Sequence, residues 1–304
     1  MKKSGLTAYG LWLTEFSVVV IAFLSVACQQ SEARSVPAGP VPVSIQAEGA
    51  TLVGDIHMPD VVPRKGVPGV AVVHGSGRMT RQMGRYVVGP MNAMGVAVLA
   101  YDKRGVGDST GDYFSVGTVN SVEGLGRLAD DASRAAKVLA SHKGVDPKRV
   151  GLLGQSQAGW IIPIAASRDP GLSFSIIVSG PAVSVGYEIL HGRLTNELNP
   201  SAATVSPEEA VRQLEAFTGP HGYDPVPTLS ALKTPTLWLM GDRDINLPLK
   251  ETVEALQKLP QTSNGVLTLI RYPEGDHGLF RPDHTREPYF EDIRAWLQKR
   301  GVLK

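Results

Sequence analysis

This chain of 304 residues holds one cysteine, Cys28, so no disulfide can close within it. That cysteine precedes every predicted strand, which also excludes a cysteine nucleophile in the folded part. Net charge is nearly absent. Thirty Lys and Arg against 29 Asp and Glu leave a formal +1, too weak a field to gather nucleic acid, and no basic run carries interleaved aromatics. The seven histidines show no His-x-His or His-Glu-x-x-His spacing, so no metal is expected. Glycines 105, 107 and 111 open no helix, which removes a dinucleotide fingerprint, and no cofactor is expected. There is no internal repeat.

What is present suits a packed globular protein: 42% hydrophobic and 19% charged residues. The length allows one large domain, alone or with a smaller insertion. The front end differs. Lys2 and Lys3 precede an apolar stretch from Phe16 to Ala27, with Glu15 just upstream. The pattern predicts an export signal over 1–28, with Ser25-Val26-Ala27 as small-residue cleavage site. An uncleaved spanning helix there would be short. Cys28 resembles, by position, the lipid-modified cysteine of bacterial lipoproteins, although Ser25 stands where a leucine is usual. Two expectations therefore stay open: a periplasmic or membrane-anchored lipoprotein attached through lipidated Cys28, and simple secretion. Residues 29–42, polar and rich in Pro, Ser, Ala and Gly, read as a linker.

From residue 43 the pattern alternates strand and helix. Val43–Ala47 and Thr51–Met58 read as a hairpin on one sheet edge. The continuous apolar runs Pro68–Val73, Val96–Tyr101, Val150–Leu153, Phe174–Val178 and Thr236–Met240 read as buried parallel strands, with Val266–Tyr272 as the last strand. A helix is expected over 120–142, with Leu125, Leu128, Ala132, Ala135 and Leu139 as its core face and Asp146-Pro147 as its stop. A final helix is expected over 287–300. Between 182 and 232 no strand is legible, a gap too long for an ordinary connection. It reads as a small helical cap, with helical pieces near 187–197 and 207–217. The whole is an α/β three-layer domain over 43–304.

One segment carries chemistry. Val150-Gly151-Leu152-Leu153-Gly154-Gln155-Ser156-Gln157-Ala158-Gly159 is an apolar strand, a sharp turn bearing a serine, and small residues opening a helix. Gly154 and Ala158 are small enough for the crowded turn, and Gly159 for close packing of helix on strand. The string alone proves little, since about 0.5 such matches are expected by chance. Gly107-Asp108-Ser109-Thr110-Gly111 fits the strict pattern better, but it follows a charged loop and opens no helix. Context selects Ser156 over Ser109.

Serine needs a base and a group that orients the base. Gly241-Asp242-Arg243-Asp244 and Glu274-Gly275-Asp276-His277-Gly278 each follow a strand, and strand C-termini in such sheets converge on one crevice. With His74-Gly75-Ser76-Gly77 and Tyr101–Ser109, these segments make the chain resemble the α/β-hydrolase superfamily, in its serine esterase and peptidase-like group, over residues 43–304. Ala158 departs from the glycine usual there by one methyl. The resemblance implies a mostly parallel twisted sheet and a Ser156-Asp244-His277 triad, with Asp242 the competitor for the acid. It implies an oxyanion hole from the backbone N–H of Ser76 and Gln157, with Gly77 the alternative to Ser76. Asp102 and Arg104 would brace the site, and His74 would support its loop. His57, His142, His191, His221 and His284 read as surface or packing residues.

The implied activity is hydrolysis of a small-molecule carboxylic ester through an acyl-enzyme, with water as the second substrate. A thioesterase or peptidase would use the same triad. A non-catalytic binding protein on this fold is the reading from another class, disfavoured because all three triad members are present.

Overall fold

The computed structural model describes residues 39–195, 203 and 205–304. The expected export signal with Cys28, and most of the expected linker, lie outside the described residues. Among the described residues no helix is long and apolar enough to cross a membrane.

Among the described residues eight strands form one sheet in the order β1-β2-β4-β3-β5-β6-β7-β8. β1 (Val41–Ala47) and β2 (Ala50–His57) pair as an antiparallel hairpin, and β2 runs antiparallel to β4 (Ala97–Tyr101). From β4 onward the sheet is parallel: β3 (Val67–Val73), β5 (Val145–Gln155), β6 (Ser175–Val178), β7 (Thr236–Gly241) and β8 (Leu267–Tyr272). β3 and β7 are buried at every residue. Helices cover both faces, so these strands read as unbroken apolar runs.

Strand alternation sorts the core into two layers. Ala71, Val73, Leu152, Ile177, Trp238 and Met240 face one way and pack with α2 (Ser121–Ser141) and α3 (Ala158–Arg168). Val70, Val72, Leu153, Ile176, Leu237 and Leu239 face the other way, toward α1 (Val88–Ala93) and the final helix. The five expected core residues of α2 are all buried.

Between β6 and β7 lie α4 (Val185–Thr195), α5 (Pro207–Glu215) and α6 (Val226–Ser230). Leu194 packs with Ala210 and Leu214 in a small cluster separate from the main core. α7 (Leu249–Lys258) and α8 (Pro260–Ser263) precede β8, and α9 (Tyr289–Lys299) closes the fold.

One expectation is corrected here. Asp146-Pro147 does not stop α2, which ends at Ser141 with His142 already extended. Both residues lie inside β5, where Val145 pairs with Val67 and Val150 with Gly69. The resulting bulge leaves Pro147 off the ladder, where its missing N–H costs nothing.

Candidate active site

β5 ends at the turn that carries Ser156. A side chain at Gly154 would meet the Val73 carbonyl oxygen at 2.6 Å, and one at Gly159 would meet Gly180 Cα at 2.7 Å. No larger residue fits at either place while strand, turn and α3 stay this close. Ser156 has φ 59°, a left-handed conformation costly for a non-glycine residue. It is held by its N–H donating to the Val178 carbonyl (3.0 Å) and its own carbonyl accepting from Gly159 (2.8 Å). The side chain is half-buried. Among the described residues its hydroxyl forms no hydrogen bond, to His277 or to any other group.

Two strands further along the sheet, the loops after β7 and β8 touch. Arg243 donates its N–H to the Gly275 carbonyl (2.9 Å), and Asp242 donates to that of Tyr272 (2.8 Å). The two aspartates of the first loop then part. Asp242 pairs with Arg271 Nε (2.7 Å). Asp244, its carboxylate fully buried, accepts from Asn246 N–H (2.9 Å) and from His277 Nδ1 (2.8 Å). In the neutral imidazole that bond selects the tautomer with the proton on Nδ1 and the lone pair on Nε2.

His277 is tied to the turn from its other side. Gln155, immediately before Ser156, donates its side-chain amide to the His277 carbonyl (2.6 Å). Asp276 Oδ1 shapes the loop by accepting from Gly278 (2.8 Å) and Phe280 (2.9 Å). Three distant segments thus meet at the C-terminal ends of β5, β7 and β8.

The loop after β3 closes the other side. A side chain at Gly75 would lie 3.6 Å from Ser156 Cβ and 3.5 Å from the Gln155 carbonyl oxygen. Among the described residues neither the Ser76 nor the Gln157 amide is spent on another acceptor. His74 is buried, makes a 2.6 Å bond from Nε2 to the Tyr101 carbonyl, and meets the Tyr101 ring edge-on at 4.4 Å. Burial drives its pKa down to about 4, so it stays neutral and supports the loop.

The stretch after β4 is a charged brace. Asp102 accepts from the N–H groups of Arg81 (2.7 Å) and Asp108 (2.9 Å) and pairs with the Arg81 guanidinium. Arg81 also reaches Asp55 (3.2 Å) and Asp108 (2.7 Å). Arg104 grips Asp131 of α2 through two bonds, 2.8 and 2.6 Å. Ser109 donates to the Asp102 carbonyl (2.8 Å) and accepts from Val53 N–H (2.9 Å), a structural task that absorbs its hydroxyl.

Sequence reasoning passed over two residues here. Gln155 carries no signal of its own beyond lying next to the serine. Lys103 sits between two residues marked as braces, yet it is the one that enters the site. It is buried and donates to the carbonyls of Gly75 (3.0 Å) and Gly77 (3.4 Å) and to Gln157 Oε1 (3.1 Å).

Behind the Asp244 loop lies a cavity of about 400 Å³ between α4, α5 and the start of α7, with Leu214, Leu247 and Leu249 in its wall. His191, read from sequence as a surface or packing residue, also lines it. Its Nδ1 is buried without a partner. Burial lowers its pKa, opposed by the charge of Asp244.

Among the described residues no group of three or more His, Cys, Asp or Glu could hold a metal. Comparison with known proteins places the chain in a family. The profile of the prolyl oligopeptidase family matches residues 84–301. An acylamino-acid-releasing enzyme of Arabidopsis thaliana is 25% identical over 158 residues, 51% of this chain but only 20% of that enzyme. Two solved structures share the fold. A 2,6-dihydroxy-pseudo-oxynicotine hydrolase has TM-score 0.61 and 21% identity, over 88% of this chain and 69% of its own. An esterase of Pyrococcus furiosus has TM-score 0.60 and 20% identity, over 86% of this chain and 90% of its own.

Proposed function

The chain belongs to the prolyl oligopeptidase family, which makes it a serine hydrolase on the α/β-hydrolase fold, and we propose that it hydrolyses small to medium carboxylic esters with Ser156 as nucleophile. The observation that carries this reading is the buried Asp244 carboxylate on His277 Nδ1, on a loop that Gln155 stitches to the serine turn.

The chemistry follows from where the protons sit. With Nδ1–H committed to Asp244, Nε2 takes the Ser156 proton as Oγ bonds to the ester carbonyl carbon. The carbonyl π pair moves onto oxygen, and the amides of Ser76 and Gln157 receive that charge. The intermediate collapses by breaking the bond to the alcohol oxygen, and the imidazolium gives its proton to the departing alcohol. Water then repeats the sequence on the acyl-enzyme: His277 takes its proton, the acid leaves, and Ser156 regains its hydrogen.

The family and the Arabidopsis relative favour a second reading, cleavage of an acylated peptide. The same triad serves both. Matched ester, thioester and amide substrates, compared by kcat/KM, separate the readings: ester preference supports the first and amide preference the second. Residues 1–28 support an exported location, and we extend the proposal to that.

Ser156→Ala is expected to lose about 10⁶ in kcat on a nitrophenyl ester and to lose labelling by a fluorophosphonate. A variant that keeps wild-type turnover overturns the nucleophile assignment. A folded wild type that fails to label would instead favour a binding protein.

A further inference from the structure

We propose that Lys103 is a positioning residue for the oxyanion hole: it holds the Gly75 carbonyl, which shares a peptide with the Ser76 N–H, the Gly77 carbonyl on the same loop, and the side-chain oxygen of Gln157. This rests on the reading of Ser156 as nucleophile. The three bonds run from Nζ to the carbonyls of Gly75 (3.0 Å) and Gly77 (3.4 Å) and to Gln157 Oε1 (3.1 Å). An ammonium has three donors and no acceptor, so the set is matched one to one.

The peptide geometry turns this into direction. The C=O and N–H of a trans peptide point opposite ways, and among the described residues there is no cis peptide. Drawing the Gly75 oxygen onto Nζ therefore turns the Ser76 N–H away from the lysine, on a loop that lies against Ser156. The bond to Gln157 Oε1 fixes the other donor residue at the start of α3. One charged atom spans both halves of the hole, and it polarises the Gly75–Ser76 peptide in the sense that strengthens its N–H.

The groups around the ammonium leave it without a counter-ion. His74, at the end of β3, is neutral, with a pKa near 4. Tyr101, the last residue of β4, is pushed up well beyond the usual phenol range by burial. Asp102 is turned onto Arg81, and Arg104 is paired with Asp131 of α2. Gln157 of the turn before α3 is uncharged. Burial accordingly brings Lys103 down to about 8. Above that pH a neutral amine keeps two donors and turns a lone pair on the third oxygen, so the clamp loosens.

The test is kcat and KM on phenyl acetate from pH 6 to 10 for wild type, Lys103→Met, Lys103→Arg and Gln157→Glu, with Ser156→Ala alongside. Wild-type kcat is expected to fall with a midpoint near pH 8. Lys103→Met is expected to lose about 10- to 100-fold in kcat at pH 7, with KM changed less than about threefold and no alkaline limb. Lys103→Arg, charged throughout, is expected to recover part of kcat and also to lack the limb. Gln157→Glu puts a carboxylate on the ammonium and is expected to move the limb up by about one pH unit or more.

A Lys103→Met enzyme with kcat within about threefold of wild type and the limb intact overturns the inference. Should that variant not fold, Gln157→Glu decides: a shifted limb supports the clamp, and a stationary one overturns it. Retained turnover in Ser156→Ala marks failure of the underlying reading; turnover lost in Ser156→Ala alone marks failure of the Lys103 inference.

Discussion

Asp242 and Asp244 are two residues apart and carry the same carboxylate, yet the fold gives them different partners. Asp244 is buried on His277, while Asp242 binds Arg271 at the surface. Asp244→Asn leaves the shape intact but takes away the charge that stabilises the imidazolium, and the amide can favour the wrong tautomer. It is expected to lower kcat by about 10⁴. Asp242→Asn breaks an exposed pair worth about 0–1 kcal/mol and should leave kcat within about threefold. Steady-state kinetics on one ester checks both, and a crippled Asp242→Asn beside an active Asp244→Asn would reverse the assignment. This distinction was half legible in the sequence. Spacing after Gly241 placed both acids beside the histidine loop, but only side-chain direction separates them. Lys103 shows the same limit from the other side. A lysine between Asp102 and Arg104 reads as solvated charge, and loop residues have no period from which burial could be inferred.

At the scale of elements, α2 is locked to the brace through Arg104 and Asp131, both almost wholly buried. Asp131→Ala would leave a buried guanidinium without its partner, at a cost of about 3–5 kcal/mol. A clear drop in the denaturation midpoint is the expected outcome, and an unchanged midpoint would show that Arg104 reaches water. The strands were readable because burial on both faces writes continuous apolar runs, as in β3 and β7. α1 was not, because it is short and its only buried residue is Met91. α7 was readable but was passed over: Thr252, Val253 and Leu256 already mark one helical face. Pro147 misled for a physical reason, since a bulge in a parallel pair frees a proline from the ladder and leaves no mark in composition.

The molecule as a whole stores several uncharged bases. Burial lowers the pKa of His57, His74 and His191. Each therefore binds fewer protons folded than unfolded once pH drops below about 6.5, and stability falls with acid. His74 acts from 6.5 down to about 4. Guanidinium midpoints measured from pH 7.5 to 4.5 should fall more steeply for wild type than for His74→Gln, which keeps a donor for Tyr101 and cannot titrate. Parallel curves would show that His74 protonates as easily folded as unfolded. Lys103 works in the same sense at the alkaline end. Its folded pKa near 8 lies below the ordinary 10.5, so stability rises from about pH 8 toward 10. There the buried tyrosines, raised by burial, reverse the slope.

The sheet places β8 at its rim, the last strand in the chain, and His277 just beyond it. On a ribosome the serine turn emerges more than a hundred residues ahead of that histidine. Under the proposed triad, a polypeptide that has emerged only as far as the serine turn still lacks its general base. Acyl transfer then waits for the β8 edge to dock, so closing that rim of the sheet is also what would arm the serine.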